Sequence, residues 1–184
     1  MKKIGIFVGS LRKDSFSKKI AQNLISLAPD GFNFQIISIG ELPLYNQDYD
    51  SADTPESYAG FRKQVQELDG FIFITPEYNR SVPAALKNAL DVASRPWGQN
   101  VWSGKPGAVI STSIGGIGGF GANHHLRQSL SFLNVLTMQQ PEVYLGGLNL
   151  ESFDENGTFK SADTVGFIQK FVEAYVAWFN QLAK

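Results

Sequence analysis

Ser10, Arg12, Ser15 and Ser17 fall within one short stretch, Gly9-Ser-Leu-Arg-Lys-Asp-Ser-Phe-Ser17. A helix is expected from about Ser17, with Ile20, Ala21, Leu24, Ile25 and Ala28 on one face. The start of a helix presents N–H groups without partners and a partial positive charge. Hydroxyls and a guanidinium at that point suit a phosphate monoester. Ser15 or Ser17 equally suits a plain helix cap, and this stretch alone leaves both roles open.

A second stretch, Pro76-Glu-Tyr-Asn79, combines a stiff backbone, an aromatic ring and an amide. A planar heterocycle needs flat contact and a few hydrogen bonds at its edge. Tyr78 can supply the face, and Asn79 with backbone N–H groups the edge. The alternative is a turn shaped by Pro76 and Asn79. The third stretch, Ser113 to Gly121, is rich in glycine, so its backbone can approach a flat ligand closely. Within it Gly116-Ile-Gly-Gly-Phe-Gly121 matches G-x-G-x-x-G, with Glu142 about 20 residues further on. That spacing is a dinucleotide fingerprint, but it follows the fourth strand and only one strand remains after it. The rest of a dinucleotide fold is missing. His124 and His125 are adjacent, so on a helix they point about 100° apart. With no cysteine and no acidic cluster beside them, no metal site is expected. One histidine is expected on a polar helix face and the other in packing. No local signature of a Ser-His-Asp triad is present.

Apolar runs mark the elements that must position these loops. Ile4, Ile6, Phe7 and Val8 form the first strand, Phe34 to Ile39 the second, Gly70 to Thr75 the third and Gly107 to Thr112 the fourth. Val135 to Met138, continuing to Val143 through Leu145, is the last. Continuous apolar runs of this length suit strands buried on both faces of a parallel sheet. Between them, Tyr58, Phe61, Val65 and Leu68 recur at helical spacing, as do Leu86, Ala89, Leu90 and Ala93, and then Leu126, Leu130 and Leu133. A final helix over Thr164 to Leu182, capped by Asp163 or Thr164, turns Ile168, Phe171, Val172, Tyr175, Phe179 and Leu182 inward. Gly40 to Thr54 is a long polar connection suited to a lid or an interface, and Arg95 to Gly104 an aromatic-rich loop with Trp97 and Trp102. Strands alternating with helices imply an α/β fold with a doubly wound five-stranded parallel sheet, order 2-1-3-4-5. All three unusual loops then lie at the carboxyl ends of strands one, three and four, where such sheets bind ligands.

At 184 residues the chain is expected to be one domain, residues 1–184. Apolar residues make up 43% and aromatics 12%, which indicates a packed core. A net charge of −1 argues against nucleic acid or an anionic membrane as the main partner. The absence of cysteine excludes disulfides and thiolate chemistry. The N-terminal apolar run ends too early, at Gly9, for a signal peptide, and no run is long enough to span a membrane. A cytoplasmic protein is expected.

At these loops the chain resembles the NADPH-dependent FMN reductase family, which includes quinone and chromate reductases of flavodoxin-like fold. The matching stretches are Gly9 to Ser17, Pro76-Glu-Tyr-Asn-Arg-Ser-Val-Pro83, Leu86-Lys-Asn-Ala-Leu-Asp91, Ser94-Arg-Pro96 and His125-Leu-Arg-Gln128. They cover nearly the whole chain in the same order. The chain departs from the family's frequent residues at Ser17, Ala84, Gly121 and Asn123. The resemblance implies that Ser10, Arg12, Ser15 and Ser17 hold the FMN phosphate, with Phe16 alongside. It implies that Pro76, Glu77, Tyr78 and Asn79 line the isoalloxazine ring, and that Ser111 and the Gly115–Gly116 segment approach its other side. It also implies a homodimer or homotetramer with flavin sites near the subunit interface.

The expected activity is therefore transfer of electrons from NADPH or NADH through bound FMN to a small-molecule acceptor such as a quinone or a free flavin. The cofactor carries this chemistry, so no acid–base pair of the protein is required. Arg80 could meet a phosphate of the nicotinamide cofactor or serve simply as a solvated loop charge. The rival is a flavodoxin-type carrier that binds FMN without oxidising NAD(P)H. Such carriers are usually strongly acidic, unlike this chain. A receiver-like module would need acids at the strand ends, where the first strand has Val8-Gly9-Ser10.

Overall fold

Four of the apolar runs form parallel strands in the computed structural model, which describes residues 1–51 and 53–182. They are β1 (Lys2–Val8), β2 (Phe32–Ile37), β3 (Gly70–Pro76) and β4 (Pro106–Thr112). Ile6 lies opposite Ile36 on β2 and Ile72 on β3, and Ile74 lies opposite Ile110 on β4. The second strand starts and ends two residues earlier than its apolar run, because its ladder begins where Lys2 meets Phe32. The expected last strand divides in two. β5 (Leu136–Thr137) pairs with the start of β4 at Pro106 and Gly107, and β6 (Val143–Leu145) pairs with its end at Ile110 to Thr112. Pro141 stands between them, and a residue without an N–H cannot continue a ladder. Among the described residues the sheet has six strands, ordered β2-β1-β3-β4-β5 with β6 also on β4. This is the doubly wound, flavodoxin-like order, with its switch point between β1 and β3.

Helices α1 (Phe16–Ser26) and α5 (Ala162–Leu182) cover one face. Helices α2 (Glu56–Gln66), α3 (Ala84–Ala93) and α4 (Phe120–Phe132) cover the other. Alternation along the strands gives the faces different chemistry. Ile72 and Ile74 face α1 and α5, whereas Phe71 and Phe73 face α2 to α4. Trp102 lies in the expected aromatic-rich loop, and its side chain is buried in this second layer. Its ring lies 5.0 Å from those of Phe7 and Phe71, and its indole N–H donates to the Leu90 carbonyl at 3.1 Å. Satisfying that one polar atom allows the whole side chain to leave water. Trp97 remains exposed.

Capping departs from the sequence expectation at α5. Ser161, not Asp163 or Thr164, accepts from the Thr164 N–H at 3.2 Å, and its carbonyl accepts from the Val165 N–H. The Gly40 to Thr54 connection is fastened rather than loose. Asn88 on α3 accepts from the Tyr45 N–H at 2.8 Å and donates to the Pro43 carbonyl at 2.9 Å. Asp50 pairs with Arg62 of α2 at 2.8 Å and accepts from the Tyr45 hydroxyl at 2.7 Å. Burial, reinforced by Asp50, pushes the Tyr45 phenol up to about 12. Ala52, within this connection, lies outside the described residues. Among the described residues no helix is long and apolar enough to cross a membrane.

Candidate functional site

The loops after β1, β3 and β4 meet at the carboxyl edge of the sheet. Ser10, Arg12, Ser15, Phe16 and Ser17 form one wall of a cleft of about 210 Å³. Pro76, Glu77 and Tyr78 form the second wall, and Thr112 to Ile114 the third. Tyr78 and Arg12 also border a neighbouring cleft with Leu11 and Pro83. Tyr78 is 48% exposed, so its ring is available for flat contact.

The structure separates the two roles open to the serines. Ser15 caps α1, its Oγ accepting from the Lys18 N–H at 3.1 Å, and the helix therefore starts at Phe16. The Ser15 hydroxyl proton is still available to a ligand. Ser17 is only 1% exposed, and it lines the same cleft. The N–H groups of Phe16 and Ser17, in the first turn, have no carbonyl in the helix to bond. The exposed Arg12 guanidinium has no carboxylate partner among the described residues. Serine hydroxyls on the cleft wall, helix N–H groups and an unopposed guanidinium are a donor set that fits the phosphate of FMN.

The second loop is tighter than its sequence indicated. Tyr78 and Ser81 exchange backbone hydrogen bonds at 3.0 and 2.9 Å. Asn79 and Arg80 between them have φ of 50° and 64°, a two-residue type I′ turn. Asn79, proposed from the sequence for the ring edge, occupies the first central position of this turn and lies outside the cleft lining. Glu77 has an unforeseen role. Its carboxylate accepts from the Ala122 N–H at 3.2 Å and pairs with Arg80 at 3.0 Å. Helix α4 begins at Gly119, which has no side chain to cap it, so the cap comes from the β3 loop. The signal in the sequence was a helix start built of glycines with no Ser, Thr, Asp or Asn before it.

The third loop is anchored from behind. Ser111, expected near the ring, is fully buried and is not part of the cleft lining. Its Oγ donates to the Gly118 carbonyl at 2.8 Å and accepts from Asn123 Nδ2 at 3.2 Å. Asn123 in turn accepts from Arg127 Nε at 2.9 Å. Burial holds the Arg127 guanidinium below the usual arginine range. Sequence reasoning missed this buried chain because polar residues at helical spacing do not announce a common partner. The Gly115 carbonyl closes the loop, accepting from the Gly118 and Gly147 N–H groups at 3.2 Å. Gly116 packs against Gly146, and both Gly115 and Gly116 are exposed.

Packing also accounts for the G-x-G-x-x-G spacing. A Cβ on Gly118 would lie 2.6 Å from the Tyr144 carbonyl carbon, and one on Gly121 would lie 2.8 Å from the Arg80 carbonyl oxygen. The first turn of α4 already holds the Glu77 carboxylate, where a pyrophosphate would meet like charge. Both histidines are exposed, and His124 packs its ring 4.2 Å from that of Phe120. His124 meets the Tyr144 hydroxyl at 3.1 Å and His125 the Ser81 hydroxyl at 3.0 Å. Among the described residues no side-chain cluster is suited to a metal.

Comparison with known proteins agrees with this geometry. Residues 2–149 match the family model described as NADPH-dependent FMN reductase. The chain is 52% identical over 176 residues to a 2-hydroxy-1,4-benzoquinone reductase from Burkholderia, covering 96% of this chain and 95% of that protein. It is 50% identical over 175 residues to a quinone reductase from Pseudomonas putida, covering 95% and 93%. Among solved structures it superposes on FerB, a flavoenzyme NAD(P)H:(acceptor) oxidoreductase from Paracoccus denitrificans. The TM-score is 0.92, with 41% identity and 98% of each chain covered. By sequence and by fold, the chain belongs to the NADPH-dependent FMN reductase family.

Proposed function

We propose that this chain is an FMN-dependent NAD(P)H oxidoreductase whose acceptors are quinones. The observation that carries the proposal is the convergence of Arg12, the Ser17 hydroxyl and the first N–H groups of α1 beside the exposed ring of Tyr78. Ser10, Ser15 and Ser17 donate to the phosphate, Arg12 neutralises it and Phe16 packs alongside. Pro76 and the backbone of Glu77 and Tyr78 form the surface against which the isoalloxazine lies. The chemistry that FMN supplies when bound is acceptance of hydride equivalents from NAD(P)H and their delivery to a second substrate. The protein holds the ring in an open cleft, so nicotinamide and acceptor can reach it in turn. Quinones follow from the relatives named as quinone reductases. Residues 1–184 act as one flavin-binding unit, because α5 packs on the same sheet face as α1. The working compartment is the cytoplasm.

The test is spectral. Protein soaked with FMN and desalted is expected to retain flavin absorption, to bleach under anaerobic NADPH or NADH, and to recover when a benzoquinone is added. Bands that persist with both nucleotides would point to an electron carrier instead.

The working unit is a homodimer or homotetramer. Trp97 and Phe132 stand exposed at either side of an open groove of about 620 Å³ between α3 and α4, and a second copy of the chain would cover both. Phe132→Glu is expected to reduce the mass measured by sedimentation, and a wild-type protein that sediments as a monomer overturns this assembly.

A further inference from the structure

We infer that Arg80 receives the pyrophosphate of the nicotinamide cofactor, an inference that rests on the oxidoreductase activity proposed above. Both central positions of a type I′ turn need positive φ, which Asn, Asp and Gly tolerate. Asn79 fits that rule, whereas Arg80, at φ 64°, does not. Two features accommodate it. Gly121 leaves open the space where a Cβ would lie 2.8 Å from the Arg80 carbonyl oxygen. Glu77 accepts from the Arg80 guanidinium at 3.0 Å, and its other oxygen is fixed by the Ala122 N–H at 3.2 Å.

Stability does not explain this arrangement. The Arg80 side chain is 76% exposed, and an ion pair so open to water adds little. Ligand recognition does explain it. A guanidinium carries five N–H donors in a planar fork, and Glu77 engages one of its nitrogens. The others face solvent in the geometry that phosphate oxygens match. The Glu77 carboxylate repels anions from the inner side, so the fork is usable only from outside. Tyr78 lies two residues earlier, a backbone span of at most ~7 Å. Arg80 therefore stands at the rim of the surface on which the flavin ring and then the nicotinamide must lie. The anionic group next to the nicotinamide riboside is the pyrophosphate, common to NADH and NADPH. Arg12 cannot take this part, because it is committed to the FMN phosphate.

The test compares wild type with Arg80→Asn, which suits the turn but removes the guanidinium, and with Arg80→Lys. ADP-ribose, which has the pyrophosphate and lacks nicotinamide, is titrated by calorimetry into the FMN-loaded proteins. Arg80→Asn is expected to bind it roughly tenfold more weakly, with Arg80→Lys in between. KM rises by a similar factor for NADH and NADPH, with a smaller change in kcat, and retained FMN is unchanged. Equal binding of ADP-ribose by wild type and Arg80→Asn overturns the assignment to Arg80. So does a rise in KM confined to NADPH, which would place the contact at the 2′-phosphate. A wild type that holds FMN and oxidises NADH keeps the proposed activity standing in either case. One that retains no FMN removes both.

Discussion

Arg12→Ala is expected to raise the dissociation constant for FMN roughly ten- to a hundredfold, since a hydrogen bond to a charged group contributes about 1.5–3 kcal/mol. The side chain is exposed and has no carboxylate partner among the described residues, so the protein without flavin should unfold at the same temperature as wild type. The variant and wild type should then differ only when flavin is present, because a ligand that binds the folded state raises its apparent stability by mass action. Arg12→Lys should recover part of the affinity. A lysine restores the charge but not the planar fork. Fluorescence quenching of FMN on titration with the apoprotein reads the constant directly. An unchanged value in Arg12→Ala would place the phosphate away from the β1 loop.

Trp102→Ala should cost about 3–5 kcal/mol of stability, the usual range for removing a large aromatic from a core. For a chain of this length that is a fall in the thermal midpoint on the order of 10 °C. The loss comes from the cavity more than from the broken hydrogen bond. The Leu90 carbonyl that accepts from the indole N–H also accepts from the Ser94 N–H at 3.1 Å, so it is not left without a donor. The rings of Phe7, Phe71 and Phe73 all pack on the indole, and none can refill its volume without leaving the others. Trp102→Phe should lose less. Denaturant unfolding with an unchanged slope and a lower midpoint would confirm the effect. A midpoint shift under 2 °C would mean that this layer collapses around the gap, against the packing described.

How much of this was legible beforehand depended on the kind of interaction. The apolar runs gave the strand order because burial on both faces leaves a continuous signal in the chain. They did not show the break at Pro141, because an apolar run stands to either side of it, Val135 to Met138 and Val143 to Leu145, and the two read as one strand. The β1 loop was readable because its donors are close in sequence. Glu77 was placed in the right loop and Ser111 at the end of the fourth strand, yet their side chains turn to α4 and to Asn123, partners more than ten residues away. Such pairings are fixed by tertiary geometry and leave no local spacing. Asn79 was legible in one of its two uses, the turn, where its backbone takes a positive φ. The burial of Trp102 was not legible for a related reason. Its sequence neighbours are polar and glycine-rich, and only the fold reveals that they lie over an aromatic layer.

The division of the last strand has a consequence for self-templating. A long, flat sheet edge exposes a row of N–H and C=O groups on which another chain can add a strand. Here the β5–β6 side offers two short pieces instead, Leu136–Thr137 and Val143–Leu145, offset along β4. Pro141 between them has no N–H to donate. An incoming strand would therefore find no continuous register to copy, and this border of the sheet is protected against runaway edge-to-edge aggregation.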